Sequence, residues 1–231
     1  SRIAILSKNT AHWLLSDFAI WMAGHVSVPL YPTLAAGTVR QILEHSGARL
    51  LFVGKLDGWE AMRAGVPAGL PCIALPLAPE GDLITGLPTW DEVVAGSAPL
   101  AGQPRRAEGD LAMILYTSGS TGTPKGVMVS FGAISRVAEG INSDVRSRIG
   151  AGKPSRMLSY LPLAHSFERS WVEASSLVDG GTHLFFAEAL DTFLQDLQRA
   201  RPTLFISVPR LWLKFQQGVF AKMPPAKLDR L

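Results

Sequence analysis

Apolar positions along the chain switch between two spacings. Residues 3–6, 26–30 and 49–53 are short apolar runs of strand length. Between the first two, Trp13/Leu14, Phe18 and Trp21/Met22 recur at helical spacing, with Asn9 or Thr10 placed to cap the helix and Gly24 to end it. Between the next two, Val39, Ile42 and Leu43 mark the inner face of a helix that Thr38 can cap and Gly47 closes. Strand and helix in alternation predict a parallel α/β sheet.

Residues 64–109 break the rhythm with Pro and Gly. A strand at 72–75 and a short helix or turn at 88–94 stand out, and 96–109 reads as a connector. Alternation then resumes. Residues 111–115 and 127–129 are apolar strands flanking a polar loop. Ser130 can cap a helix carrying Phe131, Ile134, Val137/Ala138 and Ile141. A strand at 156–161 ends at Pro162. Residues 166–178 predict a helix with Phe167, Trp171, Ala174 and Val178 inward, followed by a strand at 183–186. Residues 191–201 form an amphipathic helix burying Phe193, Leu194 and Leu197. Residues 203–208 read as a buried strand, and Pro209 suits the first turn of a closing helix. The expected fold class is α/β, with two stacked α/β subdomains of mainly parallel sheet, one at 1–109 and one at 110–231.

Candidate chemistry concentrates where the pattern is interrupted. Residues 116–126 read YTSGSTGTPKG directly after an apolar strand. Gly119 and Gly122 allow successive N–H groups to turn inward, which suits phosphate oxygens. Ser118, Ser120, Thr121 and Thr123 add hydroxyls, and Pro124 holds the cation of Lys125 at a set distance. The usual nucleoside-triphosphatase loop needs GxxxxGK followed by Ser or Thr, and this segment departs from it. A second segment, YLPLAHSFER at 160–169, sets His165 just past a strand end, where ligands of parallel sheets bind. A lone histidine is more often structural, and His12, His25, His45 and His183 are read so. Glu168 and Arg169 are open between a ligand contact and a structural ion pair. Trp171 and Trp212 are open between lining a ligand channel and core packing.

Together these segments resemble the AMP-forming acyl- and aryl-CoA synthetases, the adenylate-forming superfamily. HSFER, PRLW at 209–212 and VPLYP at 28–32 look most like the long-chain fatty acid–CoA ligases. The resemblance implies ATP, Mg²⁺ and coenzyme A as reactants and cofactor. A fatty carboxylate would form an acyl-adenylate, and the thiol would then displace AMP. It assigns Thr117, Ser118, Gly119, Ser120, Thr121, Gly122, Thr123 and Lys125 to the ATP phosphates and His165 to the wall between acyl and nucleotide sites. Thr117 or Thr121 would approach the metal. On the functional side of the open readings, Glu168 and Arg169 would face the acyl group or coenzyme A, and Trp171 and Trp212 would line an acyl channel. The family's aromatic-Gly-x-Thr-Glu segment, its Thr-Gly-Asp segment and its C-terminal lysine domain have no counterpart in this sequence. The resemblance then implies an N-terminal piece of a longer enzyme, inactive alone, whose partner is the remainder of that enzyme.

The bulk numbers narrow the field. Of 231 residues, 47% are apolar and 18% charged, which indicates a folded chain with a substantial core. A net charge of +3 without a basic run gives no support for nucleic-acid binding. A single cysteine, Cys72, fits a reducing compartment and packing. No apolar stretch reaches membrane-spanning length, so the expectation is a cytoplasmic chain, with peripheral association at the inner face of a membrane compatible with lipid-partitioning acids. Two readings stand beside the ligase: a non-catalytic relative that binds phosphate or acyl ligands, and an aryl-CoA ligase or adenylation domain. A phosphotransferase would need an Mg²⁺-holding carboxylate at a neighbouring strand end, and none stands out.

Overall fold

The computed structural model describes residues 1–80, 86–117, 124–150 and 154–223. Strand β1 (Arg2–Leu6) leads into helix α1 (Ala11–Met22), and β2 (Val26–Leu30) into α2 (Ala36–Ser46). There follow β3 (Leu50–Val53), α3 (Trp59–Met62), β4 (Cys72–Ala74) and α4 (Trp90–Ala95). Strands β5 (Leu111–Thr117) and β6 (Lys125–Ser130) then precede α5 (Phe131–Ile149) and β7 (Ser155–Ser159). Helix α6 (Ser166–Glu168), a π-helical stretch Arg169–Ala174 and α7 (Ser175–Asp179) run on without a break. Strand β8 (Thr182–Phe186) and helices α8 (Phe193–Ala200) and α9 (Pro209–Lys222) complete the described chain.

The main sheet has six strands in the order β4-β3-β1-β2-β5-β6. Strands β1 to β5 are parallel, and β6 returns antiparallel to β5. Because side chains alternate across a sheet, Ile3 and Ile5 face one side while Ala4 and Leu6 face the other. The first side packs against Trp13, Leu14 and Trp21 of α1 and Ile134 of α5. The second packs against Val39, Ile42 and Leu43 of α2. Both faces are covered, as a parallel sheet requires.

Strands β7 and β8 form a separate parallel pair. Leu184 and Phe186 of β8 pack on the same core as α1 and α5, so the pair is layered onto the main sheet through helices. The expected mixed α/β class with mainly parallel sheet stands. The division at 109/110 does not follow the sheets, because the main-chain hydrogen bonds of β5 and β6 join them to the first one.

Local signals held in several places. Thr10 accepts from the Trp13 amide at 3.1 Å and Ser130 from the Ala133 amide at 3.2 Å, so both are N-caps. Gly47 closes α2 at φ 62°, and Pro209 opens α9. Other expectations need correction. The N-cap of α2 is Ala35, without a side-chain bond, and Thr38 lies in the first turn. Residues 203–208 form no strand; their apolar side chains pack as irregular chain, with Phe205 against Phe193, Trp212 and Phe215. The helix at 166–179 buries Arg169, Val172, Glu173 and Ala174, whereas Val178 is exposed. The π turn rotates its inward face away from the 3.6-residue register. On α8, Phe193 is buried but Leu194 is exposed.

Candidate functional site

The carboxyl ends of β2, β5 and β7 meet at a cavity of about 540 Å³. Tyr31 and Thr33 reach it from the segment after β2. Leu115, Tyr116 and Thr117 come from the end of β5, Pro124 and Val127 from the other limb of the loop, and Ala164, His165 and Ser166 from the segment after β7. The first and second motifs, at 116–126 and 160–169, thus border one space. Residues Ser118, Gly119, Ser120, Thr121, Gly122 and Thr123 lie outside the described residues.

The limbs of the first motif are held firmly. Thr117 pairs with Lys125 across the β5–β6 ladder, and both are exposed at its open end. Tyr116 is buried, and its hydroxyl lies 2.7 Å from His45 Nδ1 on α2. Burial raises the Tyr116 hydroxyl above its ordinary pKa. Gly126 lies opposite it: a Cβ there would come 2.8 Å from Ile114 Cγ2 and 3.3 Å from the Tyr116 ring. Only glycine lets the two strands close at this point.

In the second motif, His165 is exposed and N-caps α6, its Nδ1 accepting from the Phe167 amide at 3.1 Å. An accepting Nδ1 puts the proton of the neutral ring on Nε2, so the ring presents a donor. Glu168 and Arg169 behave differently. Glu168 is buried, its Oε1 accepting from Ser159 Oγ at 2.7 Å and the Tyr160 amide at 3.1 Å. Burial pushes its pKa up to about 7 against those bonds. Arg169 is fully buried. Its Nη2 donates to Asp17 Oδ2 of α1 at 2.9 Å, and its Nη1 lies 2.9 Å from Glu173 Oε2 without hydrogen-bond alignment. The guanidinium lies over the rings of Trp13 and Trp21, and Ser27 donates to the other oxygen of Asp17. Burial drives the Glu173 carboxyl well above the carboxylate range, further than Arg169 draws it down.

The structure therefore brings Thr117 and His165 to one cavity, sets Lys125 at the loop's edge, and buries Glu168 and Arg169 in the scaffold. Trp171 packs at a tilt near Phe167 and Trp212 edge-on to Phe215, and neither borders the cavity. Sequence reading missed Tyr31, Thr33 and Thr38 as lining residues. The segment VPLYP was a signal for the first; the side-chain direction of Thr38 left none.

A family model described as AMP-binding enzyme matches residues 1–230. The chain belongs to the AMP-binding enzyme family. Its relatives include fatty acyl-CoA synthetase A of Dictyostelium discoideum, 33% identical over 227 residues covering 95% of this chain and 33% of that protein. Long-chain-fatty-acid–CoA ligase 1 of Homo sapiens is 31% identical over 232 residues, with 95% and 33% covered. The chain spans about a third of the length of these relatives. Among solved structures, the A-PCP didomain of the carboxylic acid reductase from Segniliparus rugosus in complex with AMP superposes with a TM-score of 0.76 at 25% identity, covering 96% of this chain and 34% of that one. An anthranilate CoA ligase in complex with anthranoyl-AMP superposes at 0.73 and 21% identity, with 89% and 39% covered, which shows the shared fold. The curated relatives named here are acyl-CoA synthetases and ligases. Among the described residues no helix is long and apolar enough to cross a membrane.

Proposed function

We propose that the protein takes part in ATP-dependent activation of a long-chain fatty acid, first to the acyl-adenylate and then to the acyl-CoA. The observation that carries this reading is the cavity bordered by both motifs at the strand ends. A carboxylate attacking the α-phosphorus of ATP is an anion meeting a polyanion, so the site must neutralise charge on the phosphates and on the departing pyrophosphate. The exposed Lys125 ammonium and the hydroxyl of Thr117 suit that task at the mouth of the loop. His165 presents an Nε2–H donor to the same space, suited to orienting a carboxylate. Ser118, Gly119, Ser120, Thr121, Gly122 and Thr123 are assigned to the phosphates on their motif alone.

Magnesium fits this donor set. It binds through few protein oxygens and keeps phosphate and water ligands, so a single Thr hydroxyl, Thr117 or Thr121, suffices from this chain. When bound, the ion supplies charge neutralisation on the phosphates. Coenzyme A would be the thiol of the second step, and peripheral contact with lipid its setting. The chain by itself is inactive in this reading, because it spans a third of its relatives.

Pyrophosphate release from ATP with Mg²⁺ and a panel of carboxylic acids tests the proposal in the full-length protein. Long-chain acids should give turnover that this chain alone lacks, and Lys125→Ala should lower kcat by about 100-fold with the unfolding midpoint unchanged. A full-length protein that releases no pyrophosphate with any acid would leave a binding role only, and preference for aromatic acids would assign an aryl-CoA ligase.

A further inference from the structure

One residue outside both motifs reaches across the molecule to the second. Asn9 sits in the turn between β1 and α1, at the carboxyl end of a strand flanked on both sides by parallel partners. Its Nδ2 donates to Ser159 Oγ at 2.8 Å and to the Leu161 carbonyl at 2.6 Å, and its Oδ1 accepts from the Leu163 amide at 3.0 Å. The amide orientation follows from these partners: reversed, an oxygen would face the Leu161 carbonyl and an NH₂ would face the Leu163 N–H. These partners are 150–154 residues away in sequence.

The grip is on the peptide groups either side of Pro162. The Pro162 carbonyl in turn accepts the His165 amide at 2.9 Å. The remaining proton of the network is also accounted for, because Ser159 Oγ accepts from Asn9 and donates to Glu168 Oε1 at 2.7 Å. Ser159 and Glu168 are buried, so these bonds form away from competing water. A half-buried asparagine with its donors and acceptor engaged on one turn holds that turn to a single geometry.

We propose that Asn9 is a positioning residue of the candidate site: from the rigid end of β1 it sets the 159–163 turn, and through it the place of His165 at the cavity. Ser159 and Glu168 back the same turn from the other side. This inference rests on the reading of His165 as a site residue.

A double-mutant cycle in the full-length protein tests it, with pyrophosphate release at saturating ATP and long-chain acid as the readout. Asn9→Ala should lower kcat by about 10- to 100-fold with little change in the KM for ATP, the cost of a misplaced group. In a His165→Ala background the same substitution should cost less than about 3-fold, because a group already absent has nothing left to be positioned. Multiplicative losses would overturn the clamp while leaving His165 in the site. A His165→Ala protein of unchanged kcat would overturn the reading of His165, and the clamp with it. Ser159→Ala, which removes the side-chain bonds to Asn9 and Glu168 but leaves Asn9 its contacts to the Leu161 and Leu163 backbone, serves as the milder arm if Asn9→Ala folds poorly, with a smaller loss and the same non-additivity expected. Amide hydrogen exchange over 159–165 should rise in both variants, and unchanged exchange would also overturn the proposal.

Discussion

The two motifs are neighbours at one cavity, yet their polar residues are used in opposite ways. In the first, Thr117 and Lys125 stand exposed at the open end of the β5–β6 ladder. The holding is done by the apolar and aromatic limbs, by Tyr116 against His45 and by the close approach over Gly126. In the second, His165 and Ser166 are exposed, while Glu168 and Arg169, in the same short stretch of sequence, are buried and bonded inward. A contiguous polar motif can therefore mix groups that face a ligand with groups that fasten the backbone. Exposure and partner, not adjacency in sequence, tell them apart.

The largest effect expected from this contrast is on stability. Arg169→Leu leaves Asp17 buried without its cation and should cost about 3–5 kcal/mol in urea unfolding. Removing the stranded charge as well, in Asp17→Asn/Arg169→Leu, should recover part of that loss. An Arg169→Leu protein of unaltered stability with lost turnover would return Arg169 to the ligand side of the comparison. Loss of the exposed Lys125, in contrast, should weaken turnover without touching stability.

Next is a dependence on pH. The folded pKa of Glu168, about 7, lies above its ordinary value, so between about pH 4.5 and 7 the folded state holds a proton that the unfolded state has released. Unfolding free energy then falls as pH rises through this window, by about 3 kcal/mol for this group. Glu173 is raised too and adds in the same direction. Glu168→Gln should flatten the profile measured by denaturant unfolding at stepped pH. An unchanged slope would mean that Glu168 titrates normally and is not held as drawn. The smallest effect belongs to the scaffold under the first motif: Ser130→Ala removes the N-cap of α5 and should cost about 1 kcal/mol, with turnover retained.

Much of this was written locally. The runs that became β1, β2 and β3, the caps Thr10 and Ser130, the stop at Gly47 and the opening Pro209 depend on spacing within a few residues, and each formed as read. The two strands that flank the glycine-rich segment were legible for the same reason. What failed depended on distant partners. Residues 203–208 carry a strand's composition, but a strand needs a neighbour to hydrogen-bond, and this segment packs its side chains instead. The inward face of 166–179 turned on a π stretch that no side-chain period announces.

Asp17 shows the division most clearly. In the sequence it is an interruption in the apolar run of α1; in the fold it is the counter-charge of Arg169, 152 residues away. Asn9 is its polar equivalent, unremarkable in its turn until it meets the loop beneath His165. The alternation of elements and the family to which the chain belongs could be read from the residues alone, because those rest on short-range periodicity and contiguous residue types. Which polar residues border the cavity and which hold it in place was settled by the folded chain. That choice rests on burial and on partners brought together across the sheets, where a charge must find its opposite or cost the fold its stability.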